Sequence, residues 1–348
     1  MRSTLAGAAA LAILIPACSL SFAHAEDPGE VNIYSYRQPY LVEPMLQEFS
    51  DETGIKTNVI FAEKGLIERI AAEGRNSPAD VLLTTDIGNL DQAVASGIAL
   101  PVKSESIDAA IPETYRGEDD EWIGLTRRAR VVYASKDRVT QDSITYEELA
   151  DPKWRGKICI RSGQHPYNVA LIASMIAAHG EDWTEEWLRG VKANLARKPA
   201  GNDRLQVKGV YSGECDLAIG NTYYMGKMLT DEKHPEQKAW ADSVNMLFPN
   251  TNDRGTHVNV SGAVVAKNAP NKDNAIELVE FLASDKGQEM YAEVNSEYPV
   301  KQGVPWSDLV QSWGTFKPDP ISLNDIAALR KTASELVDKV GFDEGPSS

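Results

Sequence analysis

The chain has 348 residues, 25% of them charged, and carries a formal net charge of −16. So acidic a protein lacks the basic patches that nucleic acid demands, which excludes that class of partner. Its length exceeds one comfortable hydrophobic core and predicts two lobes.

Residues 1–25 read as a secretory signal: Arg2 supplies the basic start, residues 5–17 an apolar stretch, and Ala23-His24-Ala25 a small-x-small cleavage site. Ile15 to Cys18 is a poor lipoprotein box because Pro16 is atypical there, so cleavage is expected after Ala25. Loss of Arg2 takes the charge from −16 to −17. The apolar stretch is too short to span a membrane, and no later segment is apolar enough, so the mature protein is expected to be exported and soluble, in the periplasm. With Cys18 removed, Cys159 and Cys215 remain. An even number in an oxidising compartment suits a disulfide; two small buried thiols are the alternative.

Strands and helices then alternate. Residues 31–34 read as a strand and 41–53 as a helix, with Leu41, Met45, Leu46 and Phe49 at helical spacing. Strands at 57–61 and 80–84 each precede a helix, at 65–73 and 87–95. This repeated βα order argues for a parallel sheet covered on both faces. A β-rich segment follows at 125–135. A second α/β unit fills 157–250, and a strand-like return runs through 257–266. Helices are expected at 272–282, 285–294 and 323–340, before a loose tail at 343–348. Two strand crossovers around an inserted lobe mark a hinged two-lobe binding protein. The expected lobes are 26–127 plus 256–310, and 128–255 plus 311–342.

The densest signal is the stretch 213–227. Leu217-Ala218-Ile219 reads as a buried strand that stops at Gly220-Asn221-Thr222, a turn and helix N-cap. Tyr223 and Tyr224 open the next helix. Ligands in open α/β sheets collect at the carboxyl ends of strands, where such loops sit. Two adjacent phenols there reach one point, and phenolate is a hard oxygen donor suited to a trivalent cation. Taken alone, the two rings also fit simple packing against a neighbouring helix.

Six blocks in order now carry a resemblance: VNIYSYR at 31–37, SPADV at 77–81, LTRRARV at 125–131, RSGQHPYN at 161–168, GNTYY at 220–224 and NVSG at 259–262. Together they cover nearly the whole mature chain. The chain resembles the periplasmic ferric-iron-binding proteins of ABC importers, which implies an α/β, two-lobe type II periplasmic-binding-protein fold with a hinge and a central ligand cleft. It also implies ferric iron as the ligand, an inner-membrane importer permease as partner, a monomer, and no catalysis.

Carried over residue by residue, the family's tyrosine ligands fall on Tyr167, Tyr223 and Tyr224. Relatives with a histidine in the first loop or a glutamate after the third strand are not matched, since this chain has Gln38, and Thr85 followed by Asp86. The remaining pattern pairs tyrosines with a small anion such as carbonate or bicarbonate, held by arginine. Tyr36 and Tyr40 are candidate further phenolates, although core packing competes for Tyr36. Arg128 aligns with an anion-facing arginine of the family, with Arg37 and Arg130 as further candidates; ordinary ion pairing is the alternative, above all for Arg130. Arginine presents a planar fork that fits carbonate or carboxylate.

A different solute on the same fold, such as a polyamine or thiamine, would use carboxylates and stacked tryptophans, for which Trp122, Trp154 and Trp183 are available. An exported hydrolase lacks its motif here: there is no Gly-x-Ser-x-Gly elbow and no His-Glu-x-x-His. His165, beside Tyr167, reads as a loop residue rather than a ligand.

Overall fold

The computed structural model describes residues 28–346. The signal sequence, Cys18 and the last two residues of the tail lie outside them. Among the described residues no helix is long and apolar enough to cross a membrane.

Nine strands form one sheet: β1 (Glu30–Ser35), β2 (Lys56–Phe61), β3 (Val81–Thr84), β4 (Ile123–Ser135), β5 (Ile158–Cys159), β6 (Leu217–Asn221), β7 (Val244–Leu247), β8 (Val258–Val265) and β9 (Tyr298–Pro299). The main order is β2-β1-β3-β8-β4-β6-β5, with β7 and β9 pairing onto β4. The expected parallel arrangement holds for β2-β1-β3 and for β5-β6. It fails at β8, which is antiparallel to both β3 and β4, and at β4, which is antiparallel to β6, β7 and β9 as well. The physical reason is connectivity: β8 returns from the second half of the chain and enters the sheet beside β3 from the opposite end.

Strand β4 joins the halves. Its first part, Ile123 to Ala129, pairs with β8, and its second part, Arg130 to Ala134, pairs with β6. All but one of its thirteen residues are buried, because both faces are covered. β8 is buried throughout for the same reason, whereas β2, at the sheet edge, is largely exposed. The resulting architecture is the two-lobe α/β fold expected from the sequence.

Helices cover the faces. Pro39–Thr53 turns Val42, Met45, Leu46 and Phe49 inward and packs with Lys272–Ala283 against β1, β3 and β8. Pro166–His179 and Arg330–Val340 lie over β5 and β6 with Trp187 and Phe342. A third cluster surrounds Cys159 and Cys215, which are disulfide-bonded with 5.9 Å between their Cα atoms.

Two local expectations fail. The C-terminal helix is two, Leu323–Ala328 and Arg330–Val340, divided at Leu329. The tail is tied down at its start: Phe342 is buried, and the Asp343 carboxylate accepts from Ser162 Oγ and, at 2.6 Å, from the Gly163 amide.

Candidate metal centre

β6 ends in a position crowded on both sides. A side chain at Gly220 would meet the Tyr133 ring at 2.7 Å and Asp203 Cβ at 3.3 Å, so glycine lets both approach the strand. Tyr133 Oη donates to the Asn221 carbonyl at 2.6 Å and fixes the strand's last residue. The helix Tyr223–Thr230 then starts as expected, but Thr222 is not its side-chain cap. Thr222 already has helical φ and ψ (−51°, −46°), and its buried hydroxyl has no hydrogen-bond partner.

Tyr223 and Tyr224 therefore occupy the first two helical positions, with ring centroids 4.3 Å apart and tilted by 36°. Tyr167 reaches them from another element. It is the second residue of Pro166–His179, whose N-cap is His165: Nδ1 accepts from the Tyr167 amide at 3.3 Å. Tyr223 Oη donates to Tyr167 Oη at 3.2 Å. The structure thus brings together the three tyrosines of the sequence-based expectation. Burial, reinforced by the Tyr167 phenol, pushes Tyr223 and Tyr224 well above the ordinary phenol value. Both of these phenols are therefore neutral at ordinary pH.

His165 fits its expected role in the loop. Burial, then the Arg161 charge, lowers it to about 3, so the ring is a neutral helix cap set edge-on to Tyr167 at 4.5 Å.

Three guanidiniums surround the Tyr167 ring: Arg128 at 5.5 Å, Arg161 at 5.5 Å and Arg130 at 6.0 Å from its centroid. Arg128 is 1% exposed and donates to Ser261 Oγ at 2.8 Å, while its Nε and Nη2 have no hydrogen-bond partner. Buried donors of that kind are rarely left unmatched. Arg130 is committed elsewhere: to Asp203 at 2.6 Å, Asn168 at 2.7 Å and Asn221 at 3.0 Å, leaving only Nε unmatched. The ion-pair alternative describes Arg130. Arg37 is likewise paired, to Glu297 at 2.7 Å, and stands 5.5 Å over the Tyr291 ring.

Of the first-loop tyrosines, Tyr36 is turned to a helix start and Tyr40 stays within electrostatic reach of Tyr167. Tyr36 Oη accepts the amides of Leu66 and Ile67 at 2.9 and 3.0 Å, which caps the helix Leu66–Glu73. Its oxygen is used by those two donors. Tyr40 is 56% exposed in the first turn of Pro39–Thr53, with the Lys227 ammonium 4.9 Å above its ring. Asp86 caps the helix Ile87–Ala95 through the amides of Gly88 and Asn89.

Two participants escaped the sequence reading. Arg161 follows β5 by two residues and faces all three tyrosines: burial works to lower its basicity, and Asp203 with the three phenols outweighs that. Asp203, wholly buried, receives both Arg130 and Arg161. Burial pushes its carboxyl up, but the two arginines outweigh burial and hold it below its usual range. Arg161 was visible as the opening residue of its block. Nothing in the sequence tied Asp203, 42 residues on, to it.

The lobes meet over this centre. Gly226, on the tyrosine helix, abuts Ser296, where a side chain would come within 2.3 Å of its hydroxyl. Lys227 reaches the Val294 carbonyl at 3.4 Å, and Arg330 joins Asp86 at 3.7 Å to the Pro166 carbonyl at 3.2 Å. Among the described residues there is no cluster of three or more histidine, cysteine, aspartate or glutamate side chains able to hold a metal ion. Trp122 and Trp154 are buried in the core and Trp183 stacks on His179 at the surface, so none supplies a face to the centre.

The family model for bacterial extracellular solute-binding proteins matches residues 34–289. Iron uptake protein A1 of Synechocystis is 46% identical over 323 residues, covering 91% of this chain and 89% of that protein. The apo ferric ion-binding protein A of Pasteurella haemolytica superposes with a TM-score of 0.86 at 52% identity, over 90% of this chain and 98% of that one. The FutA (IdiA) protein of Trichodesmium, solved in complex with iron and citrate, gives a TM-score of 0.85 at 44% identity, over 90% and 100%. The chain belongs to the bacterial extracellular solute-binding protein family and shares its two-lobe fold with these iron-uptake and ferric-ion-binding relatives.

Proposed function

We propose that the protein captures ferric iron in the periplasm through the phenolates of Tyr167, Tyr223 and Tyr224 and hands it to the permease of an ABC importer. The observation that carries this reading is the convergence of three phenols, two of them 3.2 Å apart, in a site with no acidic metal cluster. Ferric iron is hard and highly charged and favours anionic oxygen. Three phenolates cancel its charge.

A small bidentate anion then completes the coordination, and the unmatched Nε and Nη2 of Arg128 are the donors for it. Carbonate or bicarbonate suits that fork. The Trichodesmium relative holds citrate with its iron, so citrate is the competing anion. The arginines Arg128, Arg130 and Arg161 speak against a polyamine or thiamine, which are cations. Tyr40 stands at the rim rather than among the three ligands, and Tyr36 serves as a helix cap.

The lobes are 26–127 with 256–310, and 128–255 with 311–342, and β4 changes partners beside the first of these boundaries. Opening at the crossover strands exposes the ion and closing secludes it. The protein acts as a monomeric carrier and performs no catalysis, after removal of residues 1–25.

The test is a titration of the purified mature protein with ferric salt, with and without bicarbonate or citrate, followed by visible absorption. Phenolate-to-iron charge transfer should colour the protein orange to red, with one iron bound. Binding of spermidine or thiamine without any response to ferric ion would overturn the assignment.

A further inference from the structure

Behind the three tyrosines lies a network with a single anionic centre. Asp203 is wholly buried at the start of the helix Asp203–Tyr211. Its Oδ2 accepts Arg130 Nη1 at 2.6 Å and the Asn221 amide at 3.0 Å, and its Oδ1 accepts Arg161 Nη1 at 3.1 Å. These three donors come from three elements: the crossover strand β4, the loop after β5, and the end of β6. Asn221 stands two residues before Tyr223. The two guanidiniums are those at 6.0 and 5.5 Å from the Tyr167 ring.

We infer that Asp203 is a positioning residue for the tyrosine site. It holds Arg130 and Arg161 against Tyr167 and secures the strand end from which Tyr223 and Tyr224 start. The inference rests on the ferric reading above. Without the carboxylate, two guanidiniums share a buried space uncompensated and repel, so neither keeps its place. Partners that orient a metal's ligands in this way are worth about 10–100-fold in metal affinity.

A buried ion pair that served stability alone would make a different prediction: Asp203 substitutions would lower the melting temperature and leave the iron site of the folded protein unchanged. The charge-transfer band separates the two. It reports the energy of the phenolate donor orbital, which a nearby positive charge lowers.

Two variants of the mature protein, Asp203→Asn and Arg161→Gln, would be titrated with ferric nitrilotriacetate beside wild type. Asp203→Asn leaves the two guanidiniums without their shared anchor beside Tyr167, so its band should shift away from the wild-type position and its ferric affinity fall by about 10–100-fold. Arg161→Gln removes one cation, so its band should move to longer wavelength. If wild type is coloured and both variants keep its band and its affinity within twofold, the positioning role is refuted, whatever their melting temperatures do. Should Asp203→Asn not fold, Arg161→Gln decides alone, since its side chain is 13% exposed and leaves Asp203 paired to Arg130. A wild type that takes no ferric ion and stays colourless would instead refute the iron assignment itself.

Discussion

Iron release should be governed by protons, with an order set by the number of phenols that ligate. Burial raises Tyr223 and Tyr224 above the ordinary phenol value of about 10, so both are protonated in the empty protein throughout the neutral range. Each phenol that binds iron as phenolate must release one proton. Affinity therefore rises with pH, and falls as pH drops, over the whole range below those values. With three phenolates, the logarithm of the apparent affinity should change by up to about three per pH unit. At about 1.4 kcal/mol per proton that is about 4 kcal/mol between pH 7 and pH 6. The assay is competition for ferric ion against a chelator of known proton dependence, at intervals between pH 5 and 8. Tyr223→Phe removes one titrating oxygen and keeps the ring, so its slope should be lower by one. A slope near zero in wild type, or one that Tyr223→Phe leaves unchanged, would refute the phenolate mechanism.

Other consequences are more local. Tyr36→Phe removes an acceptor shared by two amides at a helix start, so it should cost about 1 kcal/mol in denaturant unfolding and leave the ferric colour intact. Arg128→Gln should abolish any strengthening of iron binding by bicarbonate, read by titration with and without the anion, while the protein stays folded. The non-reduced protein should present no alkylatable thiol at Cys159 or Cys215 in mass spectrometry. Replacing both cysteines by serine should cost about 4 kcal/mol in the chain-entropy picture for residues 56 apart, measured by chemical denaturation.

What could be read from the sequence was mostly what sequence neighbours determine. The strands of the first lobe carry short apolar runs, and Pro39–Thr53 carries a helical stripe, so their types were evident from spacing. Tyr223 and Tyr224 were evident because adjacency at a helix start places both rings on one site. Tyr167 needed the family resemblance, since 56 residues separate it from Tyr223. Contacts between distant segments account for the rest. Tyr36 finds its partners at Leu66 and Ile67, 30 residues on, which made a candidate ligand into a cap. Arg130 meets Asp203 across 73 residues, and Arg37 meets Glu297 across 260. No spacing rule in one sequence foretells such pairs. The antiparallel β8 has the same origin: its residues read as a strand, but its direction follows from where the chain returns.

The central claim is that Tyr223 and Tyr224 donate phenolate oxygen to ferric iron, and the Tyr223→Phe, Tyr224→Phe double variant measures it most directly. Both rings remain, so the variant should fold with a melting temperature near that of wild type. The account predicts that wild type loaded with ferric ion is orange to red, that the double variant loses nearly all of that colour, and that its ferric affinity falls by orders of magnitude. A double variant that keeps wild-type colour and affinity would contradict the account.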